Sequence, residues 1–132
     1  MTRVCLDTSA YSNYRRGQSV VVDEIDRADW IGVPCVVLGE IWAGFLAGKR
    51  IDRNIAELEE FLVEGVVEVL AIDGDVARIY GEIVVDLRNK GRPLPTNDIW
   101  IAATAARAGA SVLTFDAHFL EVDRVGAHVL AP

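Results

Sequence analysis

The chain has 132 residues, enough for one compact domain with a sizeable core and too few for two. With 52% hydrophobic and 25% charged residues its composition is globular, which excludes disordered, collagen-like and coiled-coil classes. Asp and Glu number 20 against 13 Lys and Arg, a net charge of −7. That balance argues against a protein that grips nucleic acid mainly through counterion release, so any such contact has to be local.

Residues 3–7 are a short apolar run dense in strand formers, and Thr8 and Ser9 after it favour the start of a helix by capping its free N–H groups, so a strand feeds a turn here. Residues 18–27 alternate apolar and acidic side chains at helical spacing, and residues 29–33, ahead of Pro34, predict a second short strand. Helix returns over residues 36–48, with Gly48 as its stop. Residues 51–64 carry Ile55, Leu58, Phe61 and Leu62 on one face with acids opposite, an amphipathic helix that Gly65 ends. The β-branched run 66–72 predicts a strand.

Residues 74–90 repeat Val76, Ile79, Tyr80, Ile83 and Leu87 at helical spacing and are closed by Gly91. After a proline-constrained loop at 92–95, Thr96, Asn97 and Asp98 supply capping chemistry for an alanine-rich helix at 99–108, which Gly109 stops. Strands at 111–115 and 127–130 complete the chain. Strands alternating with helices imply parallel strands joined by right-handed crossovers. The expected fold is therefore a three-layer α/β/α sandwich around a central, mainly parallel sheet, with residues 1–132 forming a single domain.

The amino terminus runs straight into Asp7 with no long apolar stretch, so no signal peptide is visible. The longest apolar region, residues 30–47, is broken by Glu40 and several glycines and is unsuited to spanning a bilayer. Cys5 and Cys35 lie in apolar surroundings without metal-spaced partners and read as small core residues in a reducing cytoplasm, where a disulfide is disfavoured.

Most acids fall on helices with a polar face, where solvation explains them. Four do not. Asp7 ends an apolar strand, Glu40 lies between Leu38 and Ile41-Trp42, Asp98 precedes Ile99-Trp100-Ile101, and Asp116 follows Val112-Leu113-Thr114-Phe115. Taken singly, Asp98 fits a helix start and Asp7 and Asp116 fit strand-end turns, but neither explanation reaches Glu40. In parallel α/β sheets the ligand crevice lies at the carboxyl ends of the strands, where Asp7 and Asp116 fall. Asp98 begins a helix at the opposite end from its outgoing strand, and a helix entered from a long loop can come from either side. Two carboxylates about 4 Å apart repel by roughly 4 kcal/mol at an effective dielectric of 20, so convergence of the four calls for a divalent cation. An all-oxygen set favours Mg2+ or Mn2+ over Zn2+.

The segments Leu6-Asp7-Thr8-Ser9-Ala10-Tyr11, Leu38-Gly39-Glu40-Ile41-Trp42, Pro95-Thr96-Asn97-Asp98-Ile99-Trp100-Ile101-Ala102-Ala103 and Leu113-Thr114-Phe115-Asp116-Ala117-His118-Phe119 resemble the acidic motifs of PIN-domain nucleases. They look most like those of the single-domain VapC toxins of bacterial and archaeal toxin–antitoxin pairs. Each motif alone is weak, but they occur in family order over nearly the whole chain. The resemblance implies a Mg2+- or Mn2+-dependent endoribonuclease, a homodimer, with Asp7, Glu40, Asp98 and Asp116 as its acidic quartet. On that implication Asp7, Asp98 and Asp116 hold the metal directly or through water, and Glu40 orients or deprotonates the attacking water. Polar auxiliaries map to Thr8 or Ser9, Asn97 and Thr114. Thr114 and Asp116 share one side of their strand by its period of two.

Local cations for RNA phosphates come from three clusters: Arg15-Arg16, Lys49-Arg50 with Arg53, and Arg88 with Lys90 and Arg92. Arg15 and Arg92 flank the motifs most closely and are the first choices; ordinary solvated surface is the bland alternative. His118 invites a general-base or metal role near Asp116, but the resemblance implies that it orders the loop after the fourth acid, and His128 fills a strand. Trp42, Phe45 and Leu46 follow Glu40 at helical spacing, which makes core packing their default. The family alternative is an apolar groove for an amphipathic antitoxin helix whose basic side chain reaches the acids.

Two other classes compete. Phosphoaspartyl transfer, as in haloacid-dehalogenase-like phosphatases, wants a second Asp two residues after the first, and Ser9 stands there. A non-catalytic binding module that keeps the fold is opposed by the complete quartet.

Overall fold

The computed structural model of the chain describes residues 2–132. Five strands, β1 (Arg3–Leu6), β2 (Trp30–Pro34), β3 (Val67–Leu70), β4 (Ser111–Thr114) and β5 (Ala127–Val129), form one sheet in the order β3-β2-β1-β4-β5. Every neighbouring pair is parallel, with Cys5 beside Gly32 on one side and Val112 on the other. Among the described residues six α-helices accompany them: α1 (Thr8–Arg15), α2 (Ser19–Arg27), α3 (Cys35–Ala47), α4 (Ile51–Leu62), α5 (Gly74–Lys90) and α6 (Thr96–Ala108). The expected sheet and its strands are present.

Successive strand residues point to opposite faces of a sheet. Val4, Cys5 and Leu6 of β1 and Val112, Leu113 and Thr114 of β4 are nevertheless all buried, so helices cover both faces and the architecture is three-layered. One contiguous core results, with Leu6, Ile31, Leu58, Leu87, Ile101, Leu113 and Phe119 among its most enclosed side chains. In the centre of the sheet only glycine fits at position 32. A Cβ there would stand 2.6 Å from Trp30 Cη2, 2.7 Å from Leu70 Cδ1 and 2.9 Å from Cys5 Sγ.

Gly91 and Gly109 close α5 and α6 with left-handed backbone (φ 66° and 67°), the conformation that favours glycine at a helix end. Other boundaries differ from expectation. Thr8 and Ser9 do not lead into a mere turn: they open α1, whose N-cap is Asp7. Thr96, Asn97 and Asp98 are not caps but the first turn of α6, whose N-cap is Pro95, in extended backbone (ψ 145°) and without a side-chain capping bond. Helix α4 stops at Leu62 rather than at Gly65, its C-cap being Val63.

Cys5 is buried, but Cys35 is exposed at the start of α3, which corrects its reading as a core residue. Both thiols are free, and burial pushes that of Cys5 up to about 12, so it is inert. No helix of the described residues is long and apolar enough to cross a membrane.

Candidate active site

The carboxyl ends of β1 and β4 lie side by side at the middle of the sheet, and the chain turns there into α1 and into a short 3-10 segment (Ala117–Glu121). This junction positions two of the four acids. Asp7 caps α1: its Oδ1 accepts from the Ala10 amide and the Ser9 hydroxyl, each at 2.8 Å. Its Oδ2 accepts from the Thr114 hydroxyl. Asp116 caps the 3-10 segment through the His118 amide at 2.9 Å.

Two hydroxyls tie the turns together. Thr114 Oγ1 donates to Asp7 and accepts from the Asp116 amide at 2.9 Å, while Ser9 Oγ donates to Asp7 and accepts from the Phe115 amide at 3.2 Å. Both oxygens of Asp7 are thus held by fixed donors, and its side chain is nearly buried at 5% exposure.

Helices α3 and α6 bring the other two acids. Glu40, midway along α3, accepts a 2.6 Å hydrogen bond from the Thr8 hydroxyl at the start of α1. Asp98 lies in the first turn of α6, where a negative charge suits the helix dipole, and α6 runs down to deliver β4 at the amino edge of the sheet. Its start therefore faces the carboxyl edge. The carboxyl of Asp98 is pushed up to about 6, first by burial and then by the charges of Asp116, Glu40 and Asp7, with His118 opposing them. Asp7 is raised too, mainly by burial, although the bonds from Thr114, Ala10 and Ser9 pull it down. Four acids from four separate segments thus share one electrostatic neighbourhood.

Within 4 Å, the imidazole that meets this quartet among the described residues is that of His118, whose Nδ1 lies 3.1 Å from Asp116 Oδ1. Among the described residues no Lys or Arg pairs with any of the four. As they lie, no three His, Cys, Asp or Glu side chains among the described residues are drawn close enough to share a metal ion. The donor chemistry fits a hard divalent ion: carboxylate oxygens from four segments, no Lys or Arg among the described residues to balance them, and a carboxyl whose proton affinity is raised by burial and then by the other three.

The remaining candidates are distributed unevenly. Thr8, Ser9 and Thr114 all bond to the acids. Asn97 is exposed beside Asp98. Arg15 lines a groove of about 440 Å³ that starts at Thr8 and Glu40 and runs between α1, α3 and α4. Arg92 lies away from that groove, 3.9 Å from Glu121. Trp42 and Leu46 are 38% and 64% exposed, which overturns their default reading as core, and Phe45 lines the groove. His128 is an exposed residue of β5, 3.6 Å from Glu24.

Sequence reasoning missed the second role of Ser9, its bond to the Phe115 amide; no local signal predicts a contact between residues 106 apart.

Comparison with known proteins adds an independent line. The family model described as PIN domain matches residues 4–125. The chain is 32% identical over 118 residues to ribonuclease VapC5 of Mycobacterium tuberculosis, covering 89% of this chain and 86% of that protein. It is 35% identical over 88 residues to ribonuclease VapC4 of the same organism, covering 67% of each. Among solved structures, the VapBC-5 toxin–antitoxin complex of Mycobacterium tuberculosis matches with a TM-score of 0.77 at 29% identity, over 98% of this chain and 100% of that one. VapBC2 of Rickettsia felis, bound to a DNA fragment of its promoter, matches in fold with a TM-score of 0.87 at 20% identity, over 98% and 100% of the two chains.

Proposed function

The chain belongs to the PIN-domain family, and on that premise we propose that it is a metal-dependent endoribonuclease, the VapC-type toxin of a toxin–antitoxin pair. The observation that carries the reading is the convergence of Asp7, Glu40, Asp98 and Asp116 on one electrostatic neighbourhood, with no balancing Lys or Arg among the described residues. The names of the VapC ribonucleases and the toxin–antitoxin complex to which the chain is similar support the substrate and partner classes. We read residues 1–132 as a single nuclease domain, acting in the cytoplasm as a homodimer and restrained by a cognate antitoxin.

Asp7, Asp98 and Asp116 would hold Mg2+ or Mn2+, with Glu40 beside them. When bound, the ion supplies Lewis-acid polarisation of the scissile phosphate and acidifies water. The chain's own residues do the rest. Thr114, Ser9 and the Ala10 amide fix Asp7 as a rigid ligand, so little side-chain freedom is left to lose on binding. Thr8 holds Glu40 Oε1 at 2.6 Å, leaving Oε2 to orient and deprotonate the attacking water. In-line hydrolysis breaks the P–O3′ bond, giving a 5′-phosphate and a 3′-hydroxyl. Asn97, next to Asp98, is an auxiliary polar contact of the site, and Trp42, Phe45 and Leu46 form apolar surface for the antitoxin.

The test is cleavage of total cellular RNA by the purified chain in Mn2+, in EDTA and in EDTA with Mn2+ restored. Cleavage that stops and returns, and that Glu40→Gln lowers by roughly 10²–10⁴, supports the reading. Metal-independent cleavage, or none by folded protein with no copurifying inhibitor, refutes it.

A further inference from the structure

The groove that begins at Thr8 and Glu40 is walled by Arg15 and Arg16 from the end of α1 and by Arg50 and Arg53 from the start of α4. Only Glu40 and Glu57 among its lining residues are acidic. In a chain of net charge −7 this is a concentrated reversal of sign. Resting on the endoribonuclease reading, we propose that this groove is the phosphate track for the RNA strand on one side of the scissile bond, with Arg16 and Arg50 as its free phosphate contacts.

The local physics argues against helix stability as the reason for Arg50 and Arg53. Cations suit the C-terminal end of a helix dipole and oppose the N-terminal end. Arg15 and Arg16 at the end of α1 are favourably placed, but Arg50 occupies the N-cap of α4 without any side-chain capping bond, and Arg53 follows within its first turn. Asp or Ser would serve that helix better. A polyanion in the groove reverses the sign of the cost, since the uncapped amides of α4 and the arginines then act on it together.

The arginines also divide by function. Arg53 is bound to Glu57 at 3.0 Å, and Arg15 is pinned by the Tyr11 hydroxyl at 3.2 Å and the Glu57 carbonyl at 3.3 Å. The Arg15 guanidinium also lies 5.1 Å from the Tyr14 ring centroid. Those two shape the wall. Among the described residues the Arg16 side chain bonds only to Asn13 Oδ1, at 3.4 Å, and neither Arg16 nor Arg50 is ion-paired. Thr8 to Arg16 spans about 12 Å along α1 at 1.5 Å per residue, so the contacts fall within a few nucleotides of the acids.

The test is equilibrium binding of a fluorescein-labelled single-stranded RNA of mixed sequence, in EDTA, across a series of KCl concentrations. For single strands the slope of log K against log salt is about −0.7 per neutralised phosphate. The Arg16→Ala/Arg50→Ala variant should show a slope shallower by about 1.4 and binding weaker by roughly tenfold at physiological salt. Arg92→Ala should match wild type. Thermal melts establish that the double variant is folded, and a singly substituted variant replaces it if it is not. Wild-type slope in a folded variant overturns the proposal, including the case where only affinity for a copurifying antitoxin falls, which makes the groove a protein seat. A wild type that neither binds nor cleaves RNA overturns the endoribonuclease reading itself, and the track with it.

Discussion

Thr114 and Asp7, 107 residues apart in sequence, are joined by a hydrogen bond that links the ends of β4 and β1 and fixes one oxygen of the most buried acid in the site. The same hydroxyl accepts the Asp116 amide, so one side chain holds two of the quartet in register. Thr114→Val keeps the shape and removes both bonds. Urea unfolding should show a loss of about 2 kcal/mol, the usual scale for a buried hydrogen bond to a charged group. RNA cleavage should fall with it, and Thr114→Ser should restore most of both. A valine variant as active as wild type would show that Asp7 needs no such positioning.

Asp98 binds its proton more tightly in the folded chain, at about 6, than at its ordinary value of 3.8. The fold is therefore favoured by this group at low pH, and that contribution is lost as pH rises from 3.8 to about 6. Asp98→Asn removes the dependence. In metal-free protein, Tm of the variant relative to wild type should rise across that window and level off above it. The variant should be the more stable protein at pH 7 and inactive. A difference in Tm that does not change with pH would contradict the shared neighbourhood of the four acids.

How far the sequence carries depends on the element. Strands were legible in β1, β2 and β4 because short apolar runs bounded by turn residues have few alternatives. Helix α1 was not, since only Ala10 and Tyr11 of its eight residues are buried and its start is signalled by Asp7, an acid that also reads as the end of a strand. The acids stood out by lying among apolar neighbours. The arginine clusters at 15–16 and 50–53 also stood out, but that they face one groove did not, because α1 and α4 meet only in three dimensions, and Arg92, attractive by its nearness to a motif, lies instead beside Glu121. Trp42 and Leu46 have helical spacing, but spacing alone cannot distinguish a core-facing stripe from an uncovered one.

Mn2+ should stabilise the folded protein. Binding to the native state alone adds about 2.7 kcal/mol at a hundredfold excess over Kd. Scanning calorimetry at pH 7 should show Tm rising with Mn2+ in wild type and much less in Asp98→Asn. Below pH 5 the gain should shrink, because protons then compete for Asp98. Equal gains in both proteins would place the ion elsewhere.

Gly32→Ala tests the centre of the sheet apart from the site. The added methyl meets Trp30, Leu70 and Cys5 at 2.6–2.9 Å, and overpacking of this kind costs about 1–3 kcal/mol. Urea midpoints should fall accordingly, with cleavage per folded molecule unchanged.

The central claim is that the acids at the ends of β1 and β4 cut RNA. Its most direct test is to induce the wild-type chain and Asp116→Asn in cells and map new 5′ ends across all RNA. Asp116 is partly exposed, so its replacement leaves the core intact. Discrete 5′-phosphate ends that appear with wild type and vanish with the variant are the predicted result. The same ends from both proteins, or none from either when both are folded and free of a bound partner, would contradict it.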